Sequence, residues 1–115
     1  MNKKNLILII IMGFVLMACS TTPATKNVTL IAEDIVWSTD LIEAQLGQEI
    51  QLTIRNDGVL DHNFEFAELA INVLLTPGES QTLSFVLSEA GTFDYICSIP
   101  GHEEAGMAGV ITISE

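Results

Sequence analysis

The stretch AGTFDYICSIPGHEEAGMAGVITIS, residues 90–114, decides the fold. On its N-terminal side Phe93, Tyr95 and Cys97 share one face at a period of two, with Asp94 opposite. On its C-terminal side Ile111 and Ile113 share another. A period of two is the repeat of a β-strand, whose successive side chains point to opposite faces. Two strands therefore bracket a loop, and Cys97 ends the first of them. Within the loop, Cys97, His102 and Met107 follow one another at five-residue intervals. Pro100-Gly101 turns the chain, which lets His102 come back towards the sulfur. Gly106 and Gly109 let it curl so that Met107 approaches from another side.

Thiolate, imidazole and thioether form a soft nitrogen-and-sulfur donor set. Such a set suits copper better than calcium or magnesium. Zinc seldom takes a thioether, so Met107 counts against zinc without removing it. A blue-copper site needs a second imidazole. The only other histidine is His62, in Asp61-His62-Asn63-Phe64. It is too far from Cys97 in sequence for a local turn to join them, so the fold must do so. Each residue also has a plainer reading. His62 reads as a core histidine satisfied by Asp61, Cys97 as a disulfide partner of Cys19, and Met107 as packing.

The alternation extends through the rest of the chain. Ile50, Leu52 and Ile54 alternate with Gln51, Thr53 and Arg55, and Leu83, Phe85 and Leu87 with Thr82 and Ser84. Val28–Ile31 and Asp34–Trp37 read as early strands. Turn signals at Asn56-Asp57-Gly58, Thr76-Pro77-Gly78 and Ala90-Gly91 separate the runs. Short strands at this spacing predict an all-β sandwich or barrel in one domain. Phe66–Ile71 has helix-favouring composition and reads as a turn or two of helix. Trp37 reads as a packing residue.

The first residues read differently. Lys3 and Lys4 precede an apolar run from Leu6 to Met17, then Ala18-Cys19. This is the pattern of a secretory signal, with a run too short for a comfortable membrane span. Leu16-Met17-Ala18-Cys19 resembles the bacterial lipobox, in which the cysteine becomes the lipidated first residue. Residues 1–18 are thus expected to be a lipoprotein signal peptide. Residues 19–27 are a tether carrying lipidated Cys19, and residues 28–115 the domain. A short uncleaved anchor is the other reading. Either way the domain is exported. It is held at the outer face of the cytoplasmic membrane or, in a two-membrane cell, at a periplasm-facing or outer membrane. An acylated Cys19 cannot pair with Cys97, which leaves a free thiol in an oxidising compartment.

Without residues 1–18, Lys26 and Arg55 face fifteen carboxylates, a formal charge of −13. That excludes a nucleic-acid binder, which needs a basic footprint. It also favours cationic partners.

From Val28 to Glu115 the chain resembles the cupredoxins. The resemblance rests on CSIPGHEEAGM, on His62-Asn63, and on TPGES and AGTFDYIC. The Cys-x4-His-x4-Met spacing is similar to that of auracyanins and rusticyanins rather than plastocyanins or azurins. The resemblance implies a Greek-key β-sandwich holding one type 1 copper ion. It implies His62, Cys97 and His102 as equatorial ligands and Met107 as the weak axial one. It implies that Asn63 hydrogen-bonds across to Ser98, tying the ligand segments together, with Asp61 also close to the site. It implies a one-electron carrier and not an enzyme. Copper enzymes of this type need further histidines for a second centre, and this chain has two in all. His102 is the expected electron port, with Pro100, Ala105, Met107 and either Leu69 or Ile71 as an apolar rim. Glu103 and Glu104 beside it favour a basic c-type cytochrome, or a membrane electron-transfer complex, as partner. The alternative function is copper binding or delivery at the cell surface.

Overall fold

A computed structural model describes residues 13–115. Most of the signal-like segment lies outside the described residues. Residues 13–25 carry no regular secondary structure. The chain then forms β1 (Lys26–Glu33), β2 (Val36–Trp37), β3 (Leu41–Gln45), β4 (Glu49–Asn56) and β5 (His62–Phe66). A single 3-10 turn, Ala67–Leu69, leads into β6 (Ile71–Leu75), β7 (Ser80–Val86), β8 (Gly91–Ile96) and β9 (Ala108–Ser114).

Two sheets form, one ordered β2-β1-β4-β7 and the other β3-β9-β8-β5-β6. The chain passes from one sheet to the other after β2, β3, β4, β6 and β7, as a Greek-key sandwich requires. Two pairings are parallel, β1 with β4 and β3 with β9, and the others are antiparallel. Alternation along β4 buries Ile50, Leu52 and Ile54 completely, while Gln51 and Arg55 face out. These three meet Leu30 from β1 and the inward face of the second sheet, Phe64, Phe66, Tyr95 and Ile111. Aromatic contacts bridge the layers. Trp37 meets Phe64 and Tyr95 edge-on at 6.2 Å between centroids, and Phe66 lies 5.7 Å from Phe85.

The structure sharpens the sequence reading at three places. Strand β1 takes in Lys26 and Asn27 as well as Val28. Gln48 Nε2 donates to Ala24 O at 2.7 Å, and strand pairing starts at Lys26. The second early strand shrinks to Val36–Trp37, because Asp34 and Ile35 form the turn that reverses β1 onto β2. Within Phe66–Ile71 the expected helical segment takes its shortest form, one 3-10 turn at Ala67–Leu69. Ala70 there adopts a left-handed conformation at φ 53°, and pairing of Phe66 with Ile71 returns the chain to the sheet.

Tyr95 fixes one corner of the sandwich. Its ring is fully buried, and its hydroxyl donates to Thr39 O at 2.7 Å in the connection between β2 and β3. Burial, with the Asp40 carboxylate as the lesser cause, pushes its phenol from 10.0 up to about 12. The folded state therefore favours the neutral phenol. Stability should hold flat up to the unfolded value and fall as pH rises from about 10 to about 12. Urea titrations across that window should show a steeper loss in the wild type than in Tyr95→Phe. Parallel curves for the two proteins would contradict this.

Candidate metal centre

Strands β5 and β8 are neighbours, and Glu65 pairs with Ile96. Continuing that antiparallel register puts Asn63 opposite Ser98 and His62 beyond the end of β8. His62 opens β5, Cys97 directly follows β8, and His102 sits in the loop between β8 and β9. All three side chains are buried, with His102 the least so at 8% exposure. Their donor atoms lie within 4.8 Å of one another. Cys97 Sγ is 3.9 Å from His62 Nδ1 and 3.4 Å from His102 Nδ1, and the two Nδ1 atoms are 3.2 Å apart.

These separations fit a metal. An ion about 2.0–2.3 Å from nitrogen and sulfur donors in a trigonal plane spaces those donors by roughly 3.5–3.8 Å. The triangle here brackets that range before any ion is added. Its donors are one sulfur and two imidazoles, the set that selects copper or zinc over oxygen-seeking cations.

The loop holds its own shape. Cys97 N–H donates to Met107 O, and Met107 N–H donates to His102 O, both at 3.0 Å. The three sequence-predicted loop residues are thus laced together through their backbones. Gly101 and Gly106 have φ of 88° and 102°, values that side chains resist. Gly109 is not part of the curl. It lies in β9 opposite Tyr95. Met107 is fully buried, so it cannot belong to an exposed apolar rim. Pro100, Glu103, Glu104 and Ala105 are exposed on the loop. Leu69 is exposed and Ile71 half-buried. Val59, Leu60 and Leu74 are further exposed apolar residues, the first two in the loop just before His62.

Asn63 joins the two segments that carry His62 and Cys97. Its Nδ2 donates to Ser98 Oγ at 2.7 Å, and its Oδ1 accepts from Ser98 N at 2.7 Å. Nδ2 also reaches Asn72 Oδ1 at 3.0 Å. The Asn63 backbone N–H points at Cys97 Sγ, 3.5 Å away. Cys97 is free, as is the exposed Cys19, so no disulfide joins them.

The carboxylate on His62 is Asp34, in the turn after β1. Its Oδ1 lies 2.9 Å from His62 Nε2. The neighbouring Asp61 is exposed instead. Backbone hydrogen bonding from Val59, and then His62, hold the Asp34 carboxyl below its ordinary value. Sequence reading misses Asp34 because it stands 28 residues from its partner, in a segment that reads as strand.

A His-Cys-His cluster thus sits at one end of a Greek-key sandwich, and its donor set points to copper. The chain matches the cupredoxin-like domain model over residues 6–113 and belongs to that family. It is similar to the copper-resistant cuproprotein CopI of Pseudomonas aeruginosa, 20% identical, covering 78% of this chain and 77% of that one. A shorter match to auracyanin-B of Chloroflexus aurantiacus is 44% identical over 46 residues, covering 40% of this chain but only 20% of the relative. Among solved structures, dithionite-reduced auracyanin from Roseiflexus castenholzii superposes with a TM-score of 0.69 at 20% identity. That likeness covers 81% of this chain and all of the other.

Replacing Asn63 with Ala should destabilise the domain by about 1.5–4 kcal/mol, since it removes three hydrogen bonds, to Ser98 and Asn72, each worth roughly 0.5–1.5 kcal/mol. Denaturation midpoints of the metal-free protein measure this. A loss below about 0.5 kcal/mol, the size of an ordinary surface change, would show that the bridge does not hold the segments together.

Proposed function

We propose that the protein is a type 1 copper protein that carries single electrons between redox partners while tethered to a membrane. The convergence of buried His62, Cys97 and His102 on one point carries this reading. One bound copper ion supplies the reversible Cu(II)/Cu(I) couple. The chain supplies a thiolate and two imidazoles, with Met107 as the weak fourth donor. It holds them in a buried triangle anchored by strand pairing and by Asn63. A rigid donor set leaves little to rearrange when the charge changes. His102, the donor residue with most surface, is the port for the electron.

The partner is a basic redox protein, such as a c-type cytochrome. Exposed Glu103 and Glu104 directly follow His102 in the chain, and Glu103 lines an open cleft with Glu65 and Asp94. Like charges there repel acidic partners and speed encounter with basic ones. Export and acylation at the exposed, unpaired Cys19 are supported by the lipobox-like sequence around it. A second reading is copper binding or delivery. The similarity to CopI over most of the chain supports it.

Adding Cu(II) to the metal-free full chain should give an intense thiolate-to-copper absorption band, absent in Cys97→Ser. An equal band in both proteins would sink the site assignment. After reduction, the carrier keeps its copper against a Cu(I) chelator, whereas a delivery protein surrenders it within minutes.

The double change Glu103→Gln, Glu104→Gln should raise the midpoint potential. Each carboxylate about 10 Å away in water is worth about 0.4 kcal/mol, so the pair amounts to tens of millivolts. Redox titration measures it, and an unmoved potential would remove these carboxylates from the account.

A further inference from the structure

The Asp34–His62 contact does more than satisfy a buried imidazole. An ionised carboxylate only accepts hydrogen bonds, so the imidazole proton in this pair sits on Nε2. Nδ1 then keeps its lone pair, and Nδ1 is the atom that faces Cys97 Sγ and His102 Nδ1. We propose that Asp34 is the positioning residue of the metal centre. It holds His62 in the Nε2–H form with Nδ1 turned to the metal, and it places a negative charge behind this ligand that favours Cu(II) over Cu(I). The proposal rests on the reading of His62 as a copper ligand.

The carboxylate is itself held in place. Val59 N–H donates to Asp34 Oδ2 at 2.8 Å, and Leu60 N–H reaches Oδ1 at 3.3 Å. The same loop is fastened from its other side by Asn56. Gly58 N–H donates to Asn56 Oδ1 at 2.9 Å, and Asn56 Nδ2 donates to Leu60 O at 2.8 Å. Residue 58 has no room for a side chain, because a Cβ added to Gly58 would land on Asp34 Oδ1. The loop between β4 and β5 is therefore a cradle for one carboxylate. That carboxylate comes from the far end of β1 and ends on the ligand that opens β5.

The chemistry follows from the contact. A carboxylate on the far nitrogen of a metal-bound imidazole fixes the tautomer and ring orientation and raises the basicity of the near nitrogen. A more basic, more negative ligand set stabilises the more positive metal ion. The His62 side chain is fully buried, while that of Asp34 is 28% exposed. Solvent therefore screens part of the charge but not the hydrogen bond.

The test uses the full chain in two arms. In the metal-free arm, long-range nitrogen–proton correlation spectra at alkaline pH read the imidazole tautomers. Wild-type His62 should be in the Nε2–H form, and Asp34→Ala should shift it to a mixture. In the copper arm, Asp34→Asn keeps the shape of the side chain and removes its charge. It should cost about tenfold in preference for Cu(II), which raises the potential by about 59 mV for one electron. Gly58→Ala removes no charge and no ligand. It should move the potential in the same direction by pushing the carboxylate away. An unchanged His62 tautomer in Asp34→Ala, or a wild-type potential in Asp34→Asn, overturns the proposal. A wild-type chain that takes up no copper overturns the proposed function and the potential-setting role together. The tautomer role is then still decided by the metal-free spectra.

Discussion

The pairing of β5 with β8 is the constraint on which the site depends. Those strands are remote in sequence, and each ends at one donor residue. Their antiparallel register sets His62 beside Cys97 with no freedom to slide, because a slip of one residue would turn the buried face of the slipping strand outward. Phe64, Phe66 and Tyr95 are all fully buried and resist that slip. Asn63 and Ser98 then lock the register with two hydrogen bonds at the mouth of the site. The hydrophobic core and the donor triangle are thus consequences of the same alignment.

Charge is arranged around that alignment unevenly. The chain is strongly acidic, yet the buried side chains that line the site are neutral or soft. Arg55 is drawn away by a bidentate pair with Asp57, so among the described residues it brings no cation to the donors. The carboxylates approach from two directions. Asp34 reaches His62 from behind, through a shaped loop. Glu103 and Glu104 stand outside, on the exposed part of the β8–β9 loop. The first acts through a hydrogen bond and the second pair through solvent. Only the outer pair is screened strongly by salt.

Local features were readable from the sequence. Alternation located β4, β7, β8 and β9, and the Cys97–Met107 loop announced its chemistry because all its residues are close along the chain. His62 was also within reach, since only one other imidazole existed to complete the donor set. What escaped depended on contacts between distant segments. Asp34 has no local mark distinguishing it from other acidic residues, and its partner is decided by where β1 ends relative to β5. The turn at Asp34-Ile35 shortened a segment whose composition suits a strand. Phe66–Ile71 has good helix formers, but pairing of Phe66 with Ile71 closed the segment after one turn. Tertiary pairing overrode local propensity there, as it commonly does for short segments. The position of Met107 near an exposed loop suggests a rim, yet the side chain is fully buried. Its backbone bonds to Cys97 and His102 turn it inward.

The likeness to auracyanin and the match to the cupredoxin-like family agree with this frame without supplying its particulars. The central claim is that the fold assembles the donor triangle before the metal arrives. Crystal structures of the metal-free and copper-loaded chain test it most directly. The account predicts that His62, Cys97 and His102 keep their rotamers in both, with copper between Sγ and the two Nδ1 atoms. Donor side chains that swing into place on loading, or copper bound elsewhere on the chain, would contradict it.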